Sequence, residues 1–508
     1  MGFARDLRLM LLNKRLLNNA VFSALQTIVS AVLLFFLYRY LLNQLGAEQL
    51  GIWAIVLAST AIGRLTDMGF AGAVLKFVAN SLVAGDNEKV ARIIQTAAVS
   101  IALLLGLLAV AAFPLLELLL HWVLPDNAIQ IAREILPFAI ISLLFAMVSG
   151  IFQSGIDACH RMDIRNVLLI SCNLIYIAAT VVLVPSFGLK GVAVAQTIQS
   201  FLLLFSSFYV LRHLIPELPR IPFRWYKTEF REMVGYATNF QIGMLAGMFF
   251  DPVTKFFLAK YGDLSQTAYY EMANQLLQKA RAVIVSAQQA LVPEIASIRL
   301  DQQHSLVDLY KKAYGFSLIL ILPYYILIGL SLPIISYLWI GHDEPSFIVY
   351  GTLMTIGWFA SNLSAIAYFY NIGTGALIWN TLDHILTGFI NITLAAILGS
   401  YMGGVGIVVA AMLALLLANF MLVFVVQRRL SLPTTFLVPP EYRRYLLLLA
   451  LGAVVASLMG IALESVTTSW MIVGVPPLVF SVVLLLVFSL EPASRQLLGR
   501  LRQRGNAS

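Results

Sequence analysis

Apolar stretches of about 20 residues, the length that crosses a bilayer as an α-helix, follow one another along this 508-residue chain with little between them. Sixty per cent of the residues are hydrophobic and 11% charged, too few polar groups to clothe a water-soluble globule of this size. In hydrocarbon every backbone N–H and C=O must be satisfied within the chain, which an isolated apolar stretch achieves as a helix. Windows fall near Asn19 to Leu42, Gly51 to Leu82, Ile93 to Phe113, Ile135 to Asp157, Val167 to Val184, Gly191 to Leu211 and Val234 to Ala259. Seven more follow, near Ala268 to Ile298, Ala313 to Trp339, Phe347 to Tyr370, Leu377 to Gly399, Gly404 to Val426, Tyr445 to Leu463 and Trp470 to Leu490. The pattern predicts an all-α, polytopic membrane protein with about fourteen transmembrane helices.

Lys and Arg are retained in cytoplasmic loops, and most of the 33 basic residues fall on one set of connections. These include Arg5, Arg8, Lys14 and Arg15 in the amino-terminal arm, and Arg212, Arg220, Arg224, Lys227 and Arg231 after span six. Arg428, Arg429, Arg443, Arg444 and the tail from Arg495 to Arg504 belong to the same face. Both termini are therefore expected in the cytoplasm, with the arm along the interface. The net charge of +8 reads as topology and as attraction to anionic lipid headgroups. No basic run interleaved with aromatics points to nucleic acid.

The chain repeats itself. A 217-residue offset lays Gly51-Ile52-Trp53 on Ala268-Tyr269-Tyr270 and Arg64 on Arg281, and a 215-residue offset lays Gly188 to Ala195 on Gly403 to Ala410. An even number of spans per copy keeps both in one orientation, as a parallel internal repeat requires. The expected organisation is an amino-terminal lobe over 1–211 (spans one to six), a basic cytoplasmic linker over 212–232 and a second six-helix lobe over 233–426. Two carboxy-terminal helices over 427–490 and a basic tail over 491–508 complete it.

Polar residues inside the spans mark candidate sites, because a cation near mid-bilayer costs about 2.5 to 3.5 kcal/mol on insertion scales and usually faces a wet cavity. Arg64 lies roughly 20 Å from the outer end of span two, with Asp67 on the same face. Asp251 and Lys255 share a face of span seven, with Pro252 between them expected to kink the helix. In span eight, Glu271, Asn274, Gln275, Gln278, Lys279 and Arg281 form a polar stripe that suggests a water-filled path. Arg64 with Asp67, Asp251 with Lys255, and Glu271 with its amides can equally neutralise one another as structural pairs. Lys279 and Arg281 have no acidic residue three or four positions away. Arginine's planar donors suit a diphosphate and lysine adds a point charge. Arg64, Lys255, Lys279 and Arg281 are accordingly the expected anion contacts, with Asn274 and Gln278 for sugar hydroxyls. Asp67, Asp251 and Glu271 are the candidates for ion coupling, by H+ or Na+, or for cavity pairing.

Other chemistry finds no support in the sequence. Cys159 and Cys172 are too isolated for a metal site, the six histidines are scattered, and no Gly-rich phosphate loop ends in Lys-Ser or Lys-Thr. No cofactor is expected. A membrane glycosyltransferase, polymerase or ligase would need catalytic groups on a large outward loop, and the stretch from Leu118 to Glu134 is short.

Leu45-Gly46-Ala47-Glu48-Gln49-Leu50-Gly51-Ile52-Trp53, followed by Leu65-Thr66-Asp67-Met68-Gly69-Phe70, resembles the amino-terminal signature of bacterial Wzx-type polysaccharide flippases. These belong to the multidrug, oligosaccharidyl-lipid and polysaccharide exporter superfamily. The resemblance implies two lobes that alternate access to a cationic cavity. Its implied cargo is an undecaprenyl-diphosphate-linked oligosaccharide, an O-antigen or exopolysaccharide repeat unit, moved from the cytoplasmic to the periplasmic leaflet of the inner membrane. It also implies polysaccharide polymerase machinery as a partner. A lipid II flippase would share the fold and cavity; a multidrug exporter would favour an acidic lumen and twelve spans.

Overall fold

The structure, a computed structural model, describes residues 14–60, 69–235, 247, 249–289, 291–292, 295, 298, 303–464 and 473–490. The interfacial arm before Lys14, Arg64 and Asp67 of span two, and the basic tail lie outside these residues.

The described chain is helical throughout, with no strand among the described residues. α1 (Lys14–Thr60) bends at Gly46, whose φ of 79° and ψ of 169° no helix accommodates. α2 (Phe70–Val83) starts after Gly69, itself left-handed, and Asp86 opens α3 (Asn87–Val123) by accepting from the Lys89 amide at 2.8 Å. α4 (Asp126–Ala158), α5 (Met162–Phe187) and α6 (Leu189–Leu214) follow, then a short helix, α7, over 227–235. α8 (Phe250–Tyr261), α9 (Leu264–Gln288), α10 (Gln303–Trp339), α11 (Pro345–Thr374) and α12 (Ile378–Arg429) form the next group. A 3-10 turn at Thr434–Leu437 leads to α13 (Pro440–Glu464) and α14 (Val475–Leu490).

Eight helices among the described residues are long and apolar enough to cross a membrane, α12 being long enough at 52 residues to hold two of the expected spans. Their flanks carry exposed large apolar side chains, such as Leu107, Val110, Val182 and Leu447. In water such surfaces would drive aggregation; in hydrocarbon they cost nothing.

The repeat is written into the backbone. Gly188 separates α5 from α6 with φ 55° and ψ −137°, and Gly403 divides α12 with φ 58° and ψ −141°. Both conformations are essentially reserved for glycine. Gly191 then lies against the backbone of Leu183, and Gly406 against the backbone of Leu398, the same 215-residue relation. The turn ending α4 matches the one ending α11. Arg161 N–H donates to the Ile156 carbonyl and His160 to Asp157, as Ala376 donates to Asn371 and Gly375 to Ile372. His160 and Gly375 are both left-handed there, with φ 57° and 77°. α3 and α10 are each 37 residues long.

The chain divides into two compact units, Met1–Ala268 and Tyr269–Ser508. The boundary falls inside α9, so α8, expected to open the second repeat, lies in the first unit, where it packs on α1 and α3. In that unit a polar seam ties α1, α5 and α6: Gln199 donates to Asn173 Oδ1 (2.6 Å), and Asn173 to Ser30 Oγ (3.2 Å). Asp157 and Arg165 form an ion pair across the turn between α4 and α5. Cys159, just past the end of α4, is a free thiol that burial pushes above its ordinary pKa, and Cys172 is also free. In the second unit α10, α11 and α12 share one apolar core, and α13 and α14 pack on α10 through Ile319, Tyr445, Leu449 and Phe480.

Candidate functional site

α9 carries most of the residues expected to face a cavity, and the structure separates their roles. Glu271 and Asn274 are buried, at 3% and 2% exposure, and each is bonded one turn along its own helix. Gln275 Nε2 donates to Glu271 Oε1 at 2.8 Å, and Gln278 Nε2 to Asn274 Oδ1 at 3.4 Å. Gln278 is exposed and Lys279 half-buried. The polar stripe is therefore one amide–acid pair and one amide–amide pair, with a cationic stretch following.

Arg281 occupies a different setting. Its guanidinium carbon stands 5.2 Å from the centre of the Trp358 ring of α11, a cation–π distance. Arg281 Nε is buried without a hydrogen-bond partner among the described residues, and so is Trp358 Nε1. Two N–H donors in an apolar bundle thus lack an acceptor, a state that costs about 1–3 kcal/mol for each group unless something supplies one. An oxyanion is the complement to that arrangement, since it accepts from both donors and neutralises the charge.

The surroundings are aromatic. Tyr325 of α10, Tyr368 of α11 and His384 of α12 lie near enough to Arg281 to interact with it electrostatically. Each is fixed by a separate bond or contact. Asn362 Nδ2 donates to the Tyr325 hydroxyl at 2.9 Å, while Gln288 of α9 reaches the Asn362 carbonyl, also at 2.9 Å. The Tyr324 hydroxyl donates to the Ala280 carbonyl at 3.1 Å and holds α9 against α10. Asn371 and Asn380 bond across the turn from α11 to α12, and Asn380 also donates to the Tyr368 carbonyl. The Tyr368 and His384 rings meet edge to face at 5.8 Å, and His384 Nδ1 is 3.9 Å from the carboxylate of Asp383. Tyr325 also borders an apolar cleft of about 540 Å³ between α10, α11, α13 and α14, walled by Leu322, Ile326, Leu330, Phe359 and Ile461.

The other expected residues assemble elsewhere. Asp251 and Lys255 form an ion pair of 2.6 Å along α8 in the first unit, with the lysine side chain 8% exposed. Pro252 sits in the first turn of α8, where a missing N–H is tolerated, and most of span seven before it lies outside the described residues. Trp358, Tyr325 and Tyr368 carry no signal in the sequence that marks them, whereas His384, beside Asp383, is a polar residue near the inner end of its span. An aromatic residue in an apolar span looks like core, and only the packing shows that the Trp358 N–H has no acceptor among the described residues.

The model of the polysaccharide biosynthesis protein family matches residues 16–299, more than half of the chain. No curated protein sequence matches it. Among solved structures, the chain resembles the lipid II flippase MurJ in an inward closed conformation (TM-score 0.66, 16% identity, 92% of this chain and 99% of that one). It also resembles an inward-facing multidrug resistance transporter of the MATE family in the MOP superfamily (0.60, 17%, 78% and 94%). A MOP superfamily transporter from Pyrococcus furiosus, described as having a binding pocket of reversed polarity, gives 0.51 at 12% identity over 82% and 94%. The chain belongs to the polysaccharide biosynthesis protein family and shares its helical fold with the solved MurJ and MATE-family structures.

Proposed function

We propose that the chain translocates an undecaprenyl-diphosphate-linked oligosaccharide, an O-antigen or exopolysaccharide repeat unit, from the cytoplasmic to the periplasmic leaflet of the inner membrane. The observation that carries this reading is the pair of buried donors without acceptors, Arg281 Nε and Trp358 Nε1, within one cation–π contact. A diphosphate supplies several charged acceptor oxygens to such a pair, and a guanidinium fork can hold two at once. Arg281 anchors one phosphate, and Lys279, two residues before it on α9, adds charge at the approach.

Tyr325, Tyr368, Asn274 and Gln278 offer a polar and aromatic wall for sugar hydroxyls and sugar faces. The apolar cleft beside Tyr325 is suited to the prenyl chain, so head and tail would meet at this tyrosine. Arg64 is the counterpart cation of the first lobe by the repeat. Asp67, Asp251 and Glu271 are the carboxylates through which H+ or Na+ would couple to movement, with Lys255 as the counter-charge of Asp251. The family match, to polysaccharide biosynthesis rather than to drug export, supports the glycan cargo.

Deletion of the gene in its native host, with lipid-linked saccharides analysed leaflet by leaflet, tests the reading. Complete repeat units should accumulate on the inner leaflet. Incomplete units would indicate an enzyme of assembly, and an accumulation of peptidoglycan precursor would identify lipid II as the cargo; either result overturns the proposal.

A further inference from the structure

The segment joining α6 to α8 sorts its charges by sign. Glu217 accepts from Asn87 Nδ2 at 2.9 Å, Glu229 pairs with Arg92 at 2.9 Å, and Glu232 pairs with Lys89 at 3.4 Å. All three carboxylates thus turn toward the start of α3. Arg220, Arg224, Lys227 and Arg231 are exposed and make no ion pair among the described residues. Between them stand three large apolar side chains, Ile221, Phe223 and Trp225, at 63%, 79% and 45% exposure. They stand at every second position of a non-helical stretch in which the Phe223 N–H donates to the Ile221 carbonyl at 3.1 Å. Water is a poor environment for all three.

Depth follows from what the segment touches. Trp225 Nε1 donates to Ser100 Oγ at 3.0 Å, and the Tyr226 amide to Thr96 Oγ1 at 3.2 Å. On α3 the charged residues Glu88, Lys89 and Arg92 precede these two hydroxyls, and from Ile101 the helix is apolar to Leu116. That run of 16 residues covers about 24 Å of a hydrocarbon layer about 30 Å thick. Ser100 therefore marks the boundary between headgroups and acyl chains to within about one helical turn. Tryptophan with a half-exposed ring and a satisfied N–H, as Trp225 has, is the residue type that settles at this level.

We propose that residues 220–231 form a binding site for anionic phospholipid, with Ile221, Phe223 and Trp225 set among the upper acyl carbons and Arg220, Arg224, Lys227 and Arg231 on the headgroup phosphates. The acidic residues are consumed in docking the segment to α3, which leaves the lipid side with one sign of charge. Each basic residue near such a surface adds about fivefold in affinity. The site does not depend on the identity of the cargo.

The full chain reconstituted in lipid nanodiscs tests this through Trp225 fluorescence, isolated as the difference between the native protein and Trp225→Phe. Brominated phosphatidylglycerol should quench that component several-fold more than brominated phosphatidylcholine at the same mole fraction. Arg220→Gln with Arg224→Gln should level the two lipids while leaving Trp225 quenchable, because the apolar residues remain. Native mass spectrometry gives a second reading that needs no tryptophan variant: co-purified phosphatidylglycerol should fall in the double variant by about fivefold for each arginine removed. Equal quenching by the two lipids in the native protein, quenching by neither, or unchanged lipid retention in the double variant would overturn the site.

Discussion

Arg281→Ala is expected to abolish translocation while the protein still inserts and folds. The guanidinium offers a diphosphate at least two charge-assisted hydrogen bonds, each contributing about 1.5–3 kcal/mol. Losing both weakens cargo binding by roughly a hundredfold or more. Folding should survive because the buried Nε makes no hydrogen bond among the described residues, and the Trp358 ring it leaves is apolar. Arg281→Lys separates charge from geometry: it keeps the cation and loses the fork, so partial export should remain. Trp358→Phe removes only the unpartnered N–H and preserves a ring face for the cation. Its export should fall by about tenfold, the value of one hydrogen bond to a charged acceptor. If Arg281 served only to pack against the ring, Trp358→Phe would be silent and Arg281→Lys would be tolerated in full. Membrane level by immunoblot and export of surface polysaccharide in the host are the paired readouts.

The second large effect concerns the repeated glycine turns. Gly403→Val and Gly188→Val should each destabilise the protein by about 1–3 kcal/mol, because positive φ with ψ near −140° is strained for any residue with a Cβ. Gly406→Ala adds a separate mechanism. A Cβ there would lie 2.2 Å from the Leu398 carbonyl oxygen, so the two halves of α12 would have to separate. Gly106→Ala is the control, in the middle of α3 with nothing within 4 Å; it should be neutral or stabilise by about 0.5–1 kcal/mol. Thermal unfolding in detergent, followed by size-exclusion fluorescence, distinguishes these outcomes. Similar losses at Gly188 and Gly403 are expected if the two turns are equivalent.

The fold was legible in the sequence because bilayer physics leaves few choices. Length and apolarity made the spans visible, and the Gly-rich turns carried the repeat in letters that the backbone then matched dihedral by dihedral. The site was less legible. Arg281 stands out by charge and by the absence of a local acidic partner, whereas Asp251 and Lys255 pair along α8. Trp358 and Tyr325 were invisible because they come from α11 and α10, and only packing across helices brings them to Arg281. The position of α8 was hidden for a similar reason. The expected lobe boundary puts it in the second lobe, while its contacts in the first unit are with α1 and α3, and contact partners leave no periodic mark on a single helix.

The central claim is that this chain carries a lipid-linked saccharide diphosphate across the bilayer on Arg281. The most direct measurement reconstitutes the purified protein in vesicles containing the host's own undecaprenyl-diphosphate-linked oligosaccharide and follows its appearance in the outer leaflet with a membrane-impermeant sugar-modifying enzyme. The account predicts rapid loss of leaflet protection with the native protein and full protection, as in empty vesicles, with Arg281→Ala. Protection that persists with the native protein under an imposed proton or sodium gradient of either sign, or equal loss with Arg281→Ala, would contradict it.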